Sequence, residues 1–175
     1  READGTTPLS ARYHLFLRAT EGAFTCLSAK GPHVHLARHS ICPDCDAPAF
    51  EIGSCKRCGA VHVHGTPTQE NGALYLRPRK AGSRGSWFVL GDHDGLTDED
   101  EAAVVDDGDD VSGDGARLCT YCGALGDADA SSCGGCGSGE LRPARKLKQR
   151  GEEIAGCLVC GARGAGTVRM FETGA

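Results

Sequence analysis

Five Cys-x-x-Cys pairs, few large apolar residues and short alternating runs together predict a small metal-stabilised β-rich fold: tandem zinc ribbons or knuckles with β-hairpins and little helix. The pairs are Cys42/Cys45, Cys55/Cys58, Cys119/Cys122, Cys133/Cys136 and Cys157/Cys160, which use ten of the eleven cysteines. Two sulfurs two residues apart reach one ion from a single tight turn, and two such turns complete the tetrahedral thiolate shell that zinc prefers. Val, Ile, Leu and Phe supply only 31 of 175 residues, below the roughly 20% under which a chain begins to lack apolar surface for folding unaided. One large hydrophobic core is therefore not expected. Metal is expected to supply the missing stability, because binding free energy at a structural site becomes folding free energy.

The competing explanation of paired cysteines is a disulfide framework. A Cys-x-x-Cys disulfide closes a very small loop and constrains the unfolded chain little. The cysteine count is also odd, and no signal-peptide pattern precedes the pairs. A reducing, cytoplasmic setting fits better. A thioredoxin-like role would need one pair beside a βαβ unit, and no such pattern is visible. No apolar run reaches the eighteen residues of a membrane span.

The elements follow in order. Residues 12 to 28 group aromatic and apolar side chains around Glu21-Gly22 and read as a β-hairpin. Val61 and Val63 alternate with His62 and His64 as a strand leaving the second cysteine pair, ended by Gly65. Leu74-Tyr75-Leu76 and Trp87-Phe88-Val89-Leu90 read as two strands of a second hairpin, joined by a long basic loop over 77 to 85. Residues 92 to 115 hold eleven acidic and no basic groups and read as a flexible linker. The chain thus divides into 1–91 with the first ribbon, the linker 92–115, and 116–175 with the second ribbon. The basic stretch 142 to 150 fits a strand. The chain opens on Arg1 rather than Met and reads as a piece of a larger protein.

For ligation, Cys42, Cys45, Cys55 and Cys58 are expected to form one shell. Cys119, Cys122, Cys133 and Cys136 are expected to form a second, as the shortest closure among the later pairs, where Cys157/Cys160 with either Cys133/Cys136 or Cys119/Cys122 is also a common ribbon separation. Cys157 and Cys160 then need two more donors, drawn from Cys26, His33, His35, His39, His62 and His64. That gives two or three zinc ions. Cys26, inside an apolar run, reads as a small buried hydrophobe. A residue able to take positive φ is needed just past each pair, a place filled by Asp46, Gly59, Gly123, Gly137 and Gly161.

The formal charge of −5 hides a basic remainder, since thirteen acidic residues face nineteen basic ones outside the linker. Thiolate zinc sites offset part of that excess, so attraction to nucleic acid is modest. Candidate nucleic-acid contacts are Lys56, Arg57, Arg77, Arg79, Lys80, Arg84, Arg145, Lys146 and Lys148. No phosphate loop, His-Glu-x-x-His or nucleophile elbow is present. The chain is thus not expected to be an enzyme or to take a small-molecule substrate.

The order Arg12-Tyr13-His14-Leu15-Phe16-Leu17-Arg18 with Gly22, then Cys42-Pro43-Asp44-Cys45, then Cys55-Lys56-Arg57-Cys58-Gly59 resembles the cysteine-rich region of large bacterial DEAD/DEAH-box helicases. The later Leu118-Cys119-Thr120-Tyr121-Cys122-Gly123 and Gly156-Cys157-Leu158-Val159-Cys160-Gly161 are similar too. The resemblance implies an accessory zinc module of an ATP-driven helicase, with the motor domains and DNA or RNA as partners. No ATP-binding motif is carried by this chain. Rival functions are a protein-interaction scaffold that never touches nucleic acid and a rubredoxin-like iron electron carrier.

Overall fold

The computed structural model describes residues 22–28, 30–91, 115–150, 153–154, 156–163 and 168–170. Among them there is no helix. The strands are β1 (Phe24–Cys26), β2 (Val34–His35), β3 (Ala49–Cys55), β4 (Val61–Glu70), β5 (Ala73–Pro78), β6 (Ser86–Leu90), β7 (Ala116–Cys119), β8 (Ala124–Gly126), β9 (Leu141–Lys146), β10 (Gln149–Arg150), β11 (Glu153–Ile154) and β12 (Val168–Met170). The pairings between these strands are antiparallel.

Six of these strands close on themselves. Neighbours run β4-β5-β8-β7-β9-β6, and β6 returns to pair with β4. The expected tandem zinc ribbons are therefore replaced by one closed antiparallel barrel with cysteine clusters around it. What closes it is the length of β4. Its first half lies between β3 and β6, with Val63 opposite both Ile52 and Phe88. Its second half, from Gly65 onward, pairs with β5. Gly65 is the pivot, opposite both Pro78 and Ser86, so it continues the strand that it was expected to end. Beyond it, Asn71 and Gly72 take φ of 49° and 81°, the two-residue turn with positive φ at both positions that suits the twist of a hairpin.

Two sequence expectations change with this topology. β5 and β6 do not form a hairpin; both pair with β4, and each continues the barrel in its own direction. The regions on either side of the acidic segment are not separate in space. β8 pairs with β5 and β9 with β6, while β12 pairs with β3. Residues 92–114 and most of the expected 12–28 hairpin lie outside the described residues. The part that is described, β1, pairs with β2 and β3.

A shared core also exists where none was expected. Val63, Leu76, Phe88, Leu118 and Ala144 from five barrel strands pack together with Phe50 of β3 and Leu27 just after β1. A closed barrel of short strands needs few large side chains to fill it, so a low apolar count suffices. Strand alternation turns the neighbours outward: Trp87 and Val89 pack with Cys55, Leu147, Ile154, Cys157 and Leu158 on the barrel's outer face. There the His64 ring stacks on Trp87 at 4.4 Å.

The pivot has no room for a side chain. A Cβ at Gly65 would stand 2.7 Å from Leu76 Cδ1 and 3.0 Å from the Arg77 carbonyl oxygen. Gly65→Val is expected to cost roughly 1–3 kcal/mol, the usual range for overpacking a filled site. Denaturant melting of the metal-loaded domain checks this, and an unchanged midpoint would contradict the closure described.

Candidate metal centres

Each Cys-x-x-Cys pair forms the same turn. The carbonyl of its first cysteine accepts from the amide four residues on: Asp46 to Cys42 at 2.9 Å, Gly59 to Cys55 at 2.8 Å, Gly123 to Cys119 at 3.0 Å, Gly137 to Cys133 at 2.8 Å and Gly161 to Cys157 at 2.9 Å. The donors in these turns have φ of 58°, 75°, 78°, 73° and 64° respectively. The left-handed requirement read from the sequence thus holds at all five positions, four of them glycine and one aspartate.

How the turns combine differs from the expectation. Three four-residue clusters form, each with its ligand atoms within 4.8 Å of one another: Cys26, His33, Cys42 and Cys45; Cys55, Cys58, Cys157 and Cys160; and Cys119, Cys122, Cys133 and Cys136. Only the last matches the pairing foreseen. Cys42/Cys45 and Cys55/Cys58 do not share a shell because β3 fills the gap between them as an extended strand. At about 3.3 Å per residue its seven residues hold the two turns roughly 20 Å apart. Between Cys122 and Cys133 the only strand is the three-residue β8, so that chain can fold back.

The first cluster recruits Cys26, read from sequence as a buried hydrophobe, and His33, read as one of several spare donors. Cys26 is buried as expected, but its sulfur lies 3.4 Å from His33 Nδ1 and 3.6 Å from Cys45 Sγ. His33 Nδ1 lies 3.5 Å from Cys42 Sγ. The backbone amide of His33 also donates to the Cys26 sulfur at 3.2 Å. The signal available in sequence is the odd eleventh cysteine, followed seven residues later by a histidine.

The spacings fit a metal. Tetrahedral sulfurs bound at about 2.3 Å stand about 3.8 Å apart, and a sulfur and an imidazole nitrogen about 3.5 Å apart. Observed separations are 3.8 Å for both Cys55–Cys160 and Cys58–Cys157, 3.6 Å for Cys119–Cys136 and 3.5 Å for Cys122–Cys133. A disulfide would need about 2.05 Å; all eleven cysteines are free.

Electrostatics within the clusters points the same way. Burial raises Cys55, but the amides of Cys58 and Arg57 and the neighbouring thiols of Cys157 and Cys58 outweigh it and leave its pKa at about 7. In the same cluster burial, with Cys55 and Cys58 alongside, pushes Cys157 up to about 12. Cys133 at about 7 faces a raised Cys122. Cys26, raised by burial but lowered further by the His33 and Ser28 amides, lies at about 7. Its partner Cys45 is lowered by the Ala47 amide yet driven up to about 11 by burial and by Cys42 and Cys26. Packed thiols cannot all ionise together, and a divalent cation removes that conflict.

Of the basic candidates, Arg77 and Arg79 are committed internally. Arg77 pairs with Glu70 through two nitrogens, donates to the Cys122 carbonyl at 3.0 Å and lies 4.2 Å over the Tyr75 ring. Arg79 holds the buried Glu51 at 2.8 Å and 3.2 Å and donates to the Ser83 carbonyl. Lys56 and Arg57 are exposed on the 55–58 turn, and Lys80 and Arg84 on the connection from β5 to β6. Arg145 and Lys146 lie on β9 opposite β6, with Lys148 just beyond. The candidates are thus spread over several elements.

With this geometry in place, comparison with known proteins gives a family. The model of the YjiV N-terminal domain matches residues 34–172. The chain belongs to that family. The matched region holds every described strand except β1, and every cluster ligand except Cys26 and His33. No curated protein and no solved structure matches the chain, and the family match carries no link to DEAD/DEAH-box helicases. Among the described residues of this YjiV N-terminal domain, no helix is long and apolar enough to cross a membrane.

The turn glycines are not equivalent. A Cβ at Gly123 would stand 2.6 Å from the Leu76 carbonyl oxygen, whereas one at Gly59 meets nothing within 4 Å. Both Gly→Ala changes carry the left-handed penalty of roughly 1–2 kcal/mol. Gly123→Ala is expected to lose clearly more, because backbone must move as well. Denaturation midpoints of the two metal-loaded variants compare them, and equal losses would contradict the tight approach of the third cluster to β5.

Proposed function

We propose that this domain is a non-catalytic structural module that holds three zinc ions in closed shells to brace a β-barrel within a larger protein. One shell is made of three cysteines and a histidine, the other two of four cysteines each. The observation that carries this reading is the tetrahedral spacing of three complete four-donor clusters. Four protein donors leave no position for substrate, the mark of structural rather than catalytic zinc. A cavity of about 140 Å³ beside the third cluster is lined by Ala73, Ala124, Leu125, Ser132 and Leu141 among others, with no acid–base pair facing it. At the first cluster the histidine favours zinc over rubredoxin-like iron, which takes four sulfurs.

Zinc analysis of the purified chain is expected to give at least three ions and a colourless protein. Chelation, like acidification that protonates the thiolates, is expected to abolish the cooperative thermal transition, since each structural site contributes on the order of 10 kcal/mol. A stripped chain that still melts cooperatively at an unchanged temperature would defeat the reading.

Within a helicase of the kind that the sequence resembles, such a module would pack on the motor and offer surface to DNA or RNA. The exposed Lys56, Arg57, Lys80 and Arg84 support that second reading. Changing all four to Ala is expected to weaken binding of the metal-loaded domain to single-stranded DNA. Its salt dependence should flatten by about one unit of slope for each phosphate no longer neutralised. Fluorescence anisotropy across a salt series measures it. No binding by the wild type would favour the scaffold role instead.

A further inference from the structure

The first cluster has a neighbour that its own ligation leaves unexplained. His35 Nε2 lies 3.4 Å from Cys42 Sγ and 3.6 Å from Asp44 Oδ2, and the three ligand atoms all lie within 4.8 Å of one another. His33 and His35 stand two apart on an extended segment, so both rings leave its same face. One brings a nitrogen to Cys42 within the first cluster; the other brings a nitrogen to the same sulfur from outside it. We propose that His35, Cys42 and Asp44 form a second, open metal site that shares the Cys42 thiolate with the first. The proposal rests on the first cluster's holding metal.

Three observations support it. The nitrogen–sulfur separation of 3.4 Å matches a tetrahedral edge around a zinc-class ion, about 3.5 Å, and the nitrogen–oxygen separation of 3.6 Å lies within a few tenths of an ångström of one. A single Nε2–H can be aimed well at only one of two acceptors, whereas a cation at the centre of the three satisfies both. Charge also calls for it. Three thiolates around one divalent ion leave a net negative charge, and Asp44 adds another beside it. Arg38 on the same segment is turned away, toward Glu51 at 3.8 Å and the Phe24 ring at 5.0 Å. A thiolate sulfur retains lone pairs enough to bridge two ions. With three protein donors, and with Asp44 54% exposed, the second site keeps a coordination position open to solvent. It therefore takes a divalent transition ion that exchanges readily, unlike its closed neighbours.

Native mass spectrometry of the full chain, loaded with zinc alone and separately with cobalt alone, tests this. The wild type is expected to hold four ions, one of which leaves first under a mild chelator. His35→Gln and Asp44→Asn should each retain three, the three serving as a control for folding. Cys42→Ser should retain two, because the shared sulfur serves both sites. A wild type that saturates at three, or single variants that still hold four, would overturn the proposal and leave His35 as a hydrogen-bond donor to Cys42. A wild type that saturates at two, with Cys26→Ser unchanged, would instead remove the first cluster itself, and the proposal with it.

Discussion

The cluster of Cys55, Cys58, Cys157 and Cys160 is the constraint on which the architecture turns, because it joins chain segments about a hundred residues apart. By loop length alone that closure is among the least favourable available. Yet loop entropy grows only logarithmically, about 0.6 kcal/mol per doubling, so moving from a nine-residue to a hundred-residue closure adds only about 2 kcal/mol. The barrel offsets more than that. With β9 paired to β6, and Leu147, Ile154 and Leu158 packed on Trp87 and Val89, the last cysteine pair already lies beside Cys55. The dependence also runs the other way. Cys55 and Cys157 are themselves part of that outer apolar cluster, so a metal held there would tie the end of β3 to the C-terminal segment.

Charge sets a second condition. Four thiolates packed in one cluster repel one another, which is why the clusters combine a thiol held low by backbone amides with one or more held high by burial and neighbours. The same amides that lower Cys55 and Cys133 also shape the turns, since they come from the residues of each loop. Local geometry and ligand electrostatics are therefore two consequences of one backbone arrangement. Elsewhere the charged residues serve the fold: Glu51, almost wholly buried, is compensated by Arg79 and Arg38, a pairing without which a carboxylate there would be costly.

What the sequence makes legible is the local chemistry. The five turns, their positive-φ residues, the strands at Val61, Leu74, Trp87 and Leu141, and the cluster of Cys119 with Cys136 can all be read from residue type and spacing. Partner choice for the other pairs is not legible, because it depends on topology. Nothing in the spacing of Cys45 and Cys55 says whether the residues between them fold back or run straight, and β3 runs straight. Cys26 is ambiguous in sequence because a buried apolar setting suits both a hydrophobe and a ligand; the distinction lies in what Cys42 and Cys45 bring to it across the sheet. The closed barrel is hidden for the same reason, since its closure rests on one strand, β4, pairing with different partners along its two halves.

A chain that repeats one turn five times can still use it for different ends, because the turn fixes only two donors and leaves the other two to whatever the fold delivers. Where another pair is delivered, as at Cys157/Cys160 or Cys133/Cys136, the shell is all sulfur and shut. Where the sheet edge delivers β1 and the segment leading into β2, the shell gains an imidazole, and a second imidazole and a carboxylate arrive within reach of the same sulfur. The first cluster thus departs from the pattern because its partner is an edge of the sheet rather than another knuckle. Exposed donors beside a filled shell are also where a structural module can acquire exchangeable metal without unfolding. On the proposed reading an exchangeable ion belongs at that edge, and not at the two clusters closed by paired turns.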